Sequence, residues 1–464
     1  MNQEEYIFKA LLVDNQGKIP VDARYTAKYA VQVKFPEGQL MKNGQKFQNL
    51  IFDIDNEQIE LGPCQLLAQS TKGDYAGYLV FITDIYDIES LLFQKKRVIL
   101  QGPFSNLPLI LEHKYRIKQQ FKDFTAGLTY DLSVYKNLFD SLDAEFAEEP
   151  EIVRLAVQQT IIATEGTGFL EYHEERLNEL EQIVADFTKE EHERHGFYFR
   201  KQLWNNLILS PILRRTNIKP RGYAGDSEMM RMIYLKEDLG HSTFSKLLHK
   251  HPIECPAAQA VRNRRVYIAE TVSEKLHNPA IPVRDQFRVL SVACGPAFEL
   301  QDLFTSSKEC HVCHFTLLDQ DKSALDEAAS LVGQLEQKLG ARIEVSYFQE
   351  SVRTMLTTRD LVSKLGQFHF IYSMGLFDYL TPPVAKAVLR NLFQLLKPDG
   401  EMIIGNFHVS NPSRIYMEYW ADWVLYYRTE EDLKTLLKKN TNAESAVVFD
   451  DTGIQMFLQV RKRK

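Results

Sequence analysis

The stretch that most constrains this chain is Phe287 to Leu300, FRVLSVACGPAFEL. A short apolar run crosses the small residues Ala293, Cys294 and Gly295 and opens near Pro296 into a helix-like pattern. That order reads as a strand, a tight turn and a helix N-terminus, a geometry in which backbone can approach a bound ligand closely. Roughly twenty residues on, the spacing at which such folds place an acid on a ribose, the run HFTLLDQDKSALDEA ends a second apolar strand on Asp319. Asp319 is placed to hold both ribose hydroxyls, and the two segments together predict a nucleoside-type cofactor.

What is missing narrows the cofactor. A dinucleotide fingerprint needs three glycines as GxGxxG so that a pyrophosphate can rest on the helix end. Here Gly295 is followed by Pro296 and Ala297. A cofactor without phosphate, S-adenosylmethionine, tolerates that more crowded turn. The segment resembles motif I of class I S-adenosylmethionine-dependent methyltransferases, with Ala293, Gly295 and Ala297 at the glycine positions. Ser291 stands where that family usually has Asp or Glu, so an acidic contact to the methionine amino group falls to Glu299, one helical turn further on.

At 464 residues the chain exceeds one core and predicts two to three domains. Its net charge of -7 argues against a general nucleic-acid binder, which needs a basic face. No apolar run reaches the roughly 18 residues of a membrane span, and MNQEEYIFKA lacks the features of a signal peptide, so a cytoplasmic location is expected. Five cysteines give no disulfide framework. Cys310 to His314 spells CxxCH, the haem-attachment signature of exported chains, but its second Cys begins the strand that ends on Asp319. No second ligand pair follows it at zinc-finger spacing, and His192 and His195 lie on a charged, solvated helix face. The chain is read as metal-free.

Three regions follow from the patterning: a small β domain over 1–115, a helical lid or linker over 116–285, and an α/β domain over 286–464. In the first, AVQVKF, NLIFDI, QIELG, GYLVFITDI and KRVILQG alternate as strands between turn residues, predicting a small barrel or sandwich. An Arg ahead of the first strand and a later DIxxxxxxLG run faintly resemble the PilZ domain, which binds cyclic di-GMP. PilZ reads its ligand with RxxxR and DxSxxG, whereas this chain has Arg24 to Lys28 and Asp53-Ile-Asp55-Asn56-Glu57. A degenerate or unrelated module is expected, binding a partner or a cyclic dinucleotide. A sensor built on a non-catalytic scaffold is the alternative to an enzyme.

The helical region carries two polar clusters, Pro220-Arg-Gly-Tyr-Ala-Gly-Asp226 and the arginines of AAQAVRNRRVYIAET. Arg262, Arg264 and Arg265 cannot all point one way, so one faces inward, where an uncompensated guanidinium calls for a bound acid. The plain alternative is a helical bundle whose arginines pair with Asp226, Glu228 and Glu270.

In the α/β domain a third strand, RIEVSYF, leads to Gln349, Glu350, Ser351 and Val352, where class I methyltransferases commonly contact adenine. FHFIYSMGLFDYL is the fourth strand and its exit, with Ser373 and Gly375 expected at the cofactor. LKPDG and EMIIGNF make the fifth, and SAVVFDD with IQMFLQVRK a closing hairpin. The resemblance implies an α/β fold, a class I (Rossmann-like) seven-stranded sheet. PRGYAGDSEMM, AVRNRR, VLSVACGPAFEL, YSMGLFDYL and GNFHVSNPSRIYMEYWADWVLYYRTEEDL are similar to the bacterial extracellular factor 3-hydroxypalmitic acid methyl ester biosynthesis family. That resemblance implies an O-methyltransferase of a small acidic or lipid-like acceptor such as a hydroxy fatty acid.

The expected cofactor set is Ala293, Gly295, Ala297, Glu299, Asp319, Gln320, Glu350, Ser351, Val352, Ser373, Gly375 and Arg262. Tyr223, Arg264 and His408 are expected at the reacting end. Arg221, Arg262 and Arg264 are candidates to orient an acid, although an arginine equally serves the methionine carboxylate of the cofactor. His408 would act as base for a hydroxyl or amine acceptor. The aromatic set Tyr416, Tyr419, Trp420, Trp423, Tyr426 and Tyr427 either lines an apolar pocket or faces the core.

Overall fold

Alternating residues at the start of the chain pair as strands β1 (Ile7–Asp14), β2 (Gly17–Ala27), β3 (Ala30–Lys34), β4 (Lys46–Phe47), β5 (Asn49–Ile54), β6 (Glu57–Glu60), β7 (Cys64–Gln69) and β8 (Gly77–Phe81). The computed structural model describes residues 7–27, 30–36, 41–54, 57–69, 77–81, 114–277, 286–358, 360–437 and 442–463. The eight strands form one antiparallel sheet in the order β4-β7-β8-β3-β2-β1-β5-β6. Period-two side chains Leu12, Val33, Leu50, Leu66 and Leu79 are buried on one face of it. The expected barrel is met as far as that antiparallel sheet, since no pairing joins β4 to β6 among the described residues. The KRVILQG run lies outside the described residues, as do Lys28, Asp55 and Asn56 of the PilZ-like pattern.

The chain divides into two compact units, Met1–Arg116 and Ile117–Lys464. The second begins with helices α1 (Gln119–Glu145), α2 (Glu151–Ala163), α3 (Glu165–Val184), α4 (Lys189–Leu207), α5 (Pro211–Ile218), α6 (Ser227–Leu235), α7 (Thr243–Glu254) and α8 (Pro256–Leu276). Local chemistry sets their ends. Thr188 and Glu191 form a reciprocal capping box at the start of α4. α5 stops on Lys219 in the left-handed region (φ 52°), and Asp226 caps α6 by accepting the Met229 N–H at 3.0 Å. The PRGYAGD segment is therefore a loop held between two short helices.

The α/β part comprises β9 (Phe287–Val292), α9 (Glu299–Leu303), β10 (Cys313–Asp319), α10 (Lys322–Leu339), β11 (Glu344–Gln349), α11 (Val352–Thr357), α12 (Leu361–Leu365), β12 (Phe368–Ser373), α13 (Pro382–Gln394), β13 (Leu396–Phe407), α14 (Arg414–Tyr419), α15 (Glu430–Lys434), β14 (Ala443–Phe449) and β15 (Gln455–Lys462). The sheet order is β11-β10-β9-β12-β13-β15-β14. β9 to β13 run parallel, and β15 lies antiparallel between β13 and β14. The expected seven-stranded, mostly parallel sheet is present. Apolar residues cover both of its faces, as a parallel sheet requires. Because the chain turns one way from β9 to β10 and the other way to β12, a crevice opens at the carboxyl ends of these strands.

The helices and the sheet are not separate layers with separate cores. Phe121, Phe199 and Phe244 share one apolar cluster with Phe407 at the end of β13 and with Tyr419 and Trp420 beyond it. Arg200 donates to the Glu418 carbonyl (2.8 Å) and Asn217 to the Trp420 carbonyl (2.8 Å), so hydrogen bonds cross the same boundary.

Candidate active site

The turn after β9 alternates its backbone. Ala293, Gly295 and Ala297 all lie in the left-handed region, at φ 53°, 56° and 52°. Glycine adopts this conformation at no steric cost, whereas each alanine is strained by of order 1 kcal/mol. A Cβ placed on Gly295 would meet nothing within 4 Å, so the residue faces open space and is needed for its backbone angle. The strained turn is pinned from the neighbouring strand: Cys294 N–H donates to the Leu318 carbonyl (3.2 Å) and Gly295 N–H to an Asp319 oxygen (2.8 Å).

The turn floors a cavity of about 400 Å3 at the carboxyl end of the sheet. Asp319 is buried there, its second oxygen accepting the Asp321 N–H (2.9 Å). Each carboxylate oxygen has a further acceptor position, enough for a pair of vicinal hydroxyls. Burial raises the Asp319 pKa, and the backbone N–H donors work against that rise. Glu299 faces the same space with one oxygen accepting the Tyr372 hydroxyl (2.7 Å); burial is the main cause of its raised pKa too. An acid held raised by burial favours a cation beside it. Gln320, Glu350, Ser351 and Val352 line the far end, where Glu350 is held by Lys364 and its pKa is lowered by that contact.

The opposite wall comes from the helical segment. Arg221, Tyr223 and Gly225 of the α5–α6 loop, Met230 and Tyr234 of α6, and Arg264 of α8 reach the cavity. The loop is tied across the sheet edge by the Arg221–Asp321 ion pair (2.7 Å), and a Cβ on Gly225 would collide with the Tyr379 hydroxyl. Burial raises the pKa of the Tyr223 phenol, with Asp319 adding to the rise, so it remains a donor at neutral pH. Tyr379 and Trp423 close this end, joined by the indole N–H donating to the Tyr379 oxygen (2.8 Å).

Arg264 is 7% exposed. One of its N–H groups donates to the Met374 carbonyl (3.2 Å) and another approaches the Met230 sulfur (3.2 Å), while Nε has no hydrogen-bond partner. A buried Asp378, whose charge is stabilised by Arg264 and by the buried Arg428, accepts the Phe407 N–H (2.7 Å). Arg428 spends its donors on the Phe377 (2.8 Å) and Leu380 (2.6 Å) carbonyls and on Asn406. Asp378 interacts with both buried guanidinium groups, and Arg428 interacts with Asp432 as well.

Three residues expected in the site stand elsewhere. Ser373 is wholly buried below it, donating to the Val292 carbonyl (2.9 Å). Arg262 turns away to the Ile253 carbonyl (2.8 Å) and Gln259, because residues on one helix separated by two positions point to different sides. His408 packs its ring on Phe449 and bonds Ser410 (2.7 Å), outside the cavity lining. Of the other aromatic candidates, Trp423 reaches the cavity, whereas Tyr416, Tyr419 and Trp420 belong to the apolar core. Asp378 and Tyr379 were not anticipated, although FDYL follows the fourth strand directly and an acid at a strand exit is a signal of a site. Arg265 forks onto Asp302 (2.6 and 2.8 Å), and the Arg215 Nε–H is shared between the two Asp226 oxygens (2.6 and 2.8 Å).

Residues 289–400 match the family model described as a methyltransferase domain. The chain carries a methyltransferase domain. The match runs from β9 into β13, so it contains the turn, Asp319, Glu350 and Gly375. No curated protein matches the chain. Among solved structures, a possible exported protein from Bordetella parapertussis is similar at 17% identity, over 57% of this chain and 88% of that one, with a TM-score of 0.44. Magnesium protoporphyrin IX methyltransferase from Synechocystis is similar at 13% identity over 44% and 86% of the two chains, TM-score 0.33. A methyltransferase from Clostridium acetobutylicum is similar at 12% identity over 44% and 92%, TM-score 0.31. The methyltransferase domain supplies one wall of the cavity, and the helices before it supply the other.

Proposed function

We propose that the protein methylates the carboxylate oxygen of an acid with an apolar body, of the hydroxy fatty acid class, to give a methyl ester. The cofactor is S-adenosylmethionine. The residues present fit it: Asp319 keeps acceptor positions for the ribose hydroxyls, the Gly295 turn leaves open space, and Glu299 offers an anion for the ammonium group. Gln320, Glu350, Ser351 and Val352 would flank the base.

The observation that carries the acceptor class is Arg264, buried with Nε unpartnered at the edge of the cavity. A guanidinium out of water is costly unless an anion meets it, and a carboxylate matches its fork geometry. Apolar side chains of Met230, Phe407, Trp423 and Leu425 surround the same end and suit a hydrocarbon body.

When bound, S-adenosylmethionine supplies a methyl group activated by a sulfonium. A carboxylate is ionised at neutral pH, so this chain needs no general base, and His408 takes no part. Arg264 holds and orients the acid while leaving one oxygen free. The Tyr223 hydroxyl donates to the acid or to the cofactor ribose, and its ring, edge-on to Tyr379 at 6.3 Å between centroids, shuts water out. Positioning of this kind supplies most of what a direct displacement requires.

The test is incubation with S-adenosylmethionine and a panel of saturated and 3-hydroxylated fatty acids, with products read by mass spectrometry. Methyl esters are expected, and Arg264→Gln should lower kcat/KM by about tenfold or more, the loss of a charge-assisted pair. Methylation of the hydroxyl, or an Arg264→Gln variant as active as the wild type, would overturn the reading.

A further inference from the structure

Behind the acceptor end of the cavity lies a second, smaller space. It measures about 20 Å3 and is lined by Leu213, Met229, Ile233, Ala258 and Met417 among others. Val261 and Trp423 belong to the linings of both spaces. Most of its lining is apolar, and the Thr216 hydroxyl donates to the Leu213 carbonyl (3.1 Å) and the Cys255 thiol to the Pro252 carbonyl (3.5 Å). A space of this size has room for about one water molecule, but water needs two or more polar partners, so hydrocarbon is the occupant that fits.

Trp423 is held firmly between the two. Its indole N–H is tied to the Tyr379 oxygen (2.8 Å) and its backbone N–H to the Met417 carbonyl (2.8 Å). The residue before it, Asp422, takes a left-handed backbone (φ 47°) and is clamped by Arg200 (2.8 Å) and Lys219 (2.5 Å). On the cavity side, a Cβ on Gly225 would come within 3.0 Å of the indole ring, so the α5–α6 loop presses on it. The ring is a fixed partition with an apolar void behind it and the acceptor end in front.

We propose that the acceptor end of the cavity is an acyl-tail subsite closed by Trp423, which sets the length of tail the site takes, and that the second space is the void this ring seals off. The inference rests on the reading of the acceptor as an acid with an apolar body and deepens it: the head lies at Arg264, and the tail runs along Met230 and Leu425 to stop at Val261 and Trp423. A chain that reaches the partition gains affinity with each buried methylene. A longer chain must displace the indole or curl back.

The test is calorimetric titration of the full chain, saturated with S-adenosylhomocysteine, with straight-chain saturated fatty acids of increasing length. In the wild type, affinity should rise about fourfold per methylene and then level off. In Trp423→Ala, which joins the two spaces, the levelling point should move to longer acids. Ala258→Val in that background, which refills the rear space, should move it back. Trp423→Phe guards against a folding failure of the alanine variant: it keeps a ring at the site and should give a smaller shift in the same direction. An unchanged levelling point in a variant that still binds S-adenosylhomocysteine would overturn the subsite while leaving the acid reading intact. Absence of fatty acid binding in the wild type would overturn both.

Discussion

Asp319 and Arg264 are both buried charges in one cavity, and they differ in how far the protein has already satisfied them. Asp319 accepts two backbone N–H groups, one from the turn it supports, so its removal takes away a ligand contact and a brace together. Asp319→Ala should weaken S-adenosylmethionine binding by at least about tenfold in calorimetry, and unchanged affinity would end its assignment to the ribose. Asp378 makes a second case. Burial lifts its carboxyl from the ordinary 3.8 to about 6. A carboxyl with the higher pKa in the folded chain contributes stability that is present below about pH 4 and is lost as pH rises through about 6. Asp378→Asn should therefore gain on the wild type as pH rises across that window, by of order 2 kcal/mol in denaturant melts. A difference that stays flat with pH would refute the raised value. Asp319 was legible in the sequence because spacing after a glycine turn has few readings. Asp378 was legible only as an acid at a strand exit, because nothing in FDYL reports that the Phe407 N–H will meet it from β13.

At the scale of elements, the turns and strand ends were readable where they depend on local chemistry. β9, β10 and β12 follow their apolar runs, whereas the caps at Asp226 and Thr188 were not part of the sequence reading. Which face of α8 meets the cavity was not readable, since three arginines in four positions allow several rotations, and only packing against Met374 selects Arg264. Packing also brings two histidines together between helices: the rings of the buried His173 on α3 and the half-buried His251 on α7 lie 4.6 Å apart. Burial lowers His251 from 6.5 to about 4 and His173 further below its ordinary value. Both stay neutral in the folded chain and would charge on unfolding, so stability is lost as pH falls from about 6.5 towards 4. His251→Gln should flatten that part of the pH profile of Tm, an effect of about 1 to 3 kcal/mol at the acid end. An equally steep profile would show that the pair is not a source of the acid sensitivity.

The whole molecule is two units, and the first keeps its own apolar core of Leu12, Val33, Leu50 and Leu79. All lining residues of the 400 Å3 cavity fall in the second. A chain begun at Ile117 should accordingly bind S-adenosylmethionine within about twofold of the full protein, the tolerance expected of independent parts. A larger loss would mean that the first unit supports the site. The shared cluster between the early helices and the loops beyond β13 has a consequence for synthesis. Residues 117–276 leave the ribosome long before Phe407, Tyr419 and Trp420 exist to cover their apolar faces. For the time it takes to translate the α/β sheet, at roughly 5 to 20 residues per second, those helices wait with an unfinished interior. The nascent chain is then most exposed to aggregation and most in need of a chaperone, and a stop codon placed before Phe407 should yield an insoluble product even though every helix of residues 117–276 has been made.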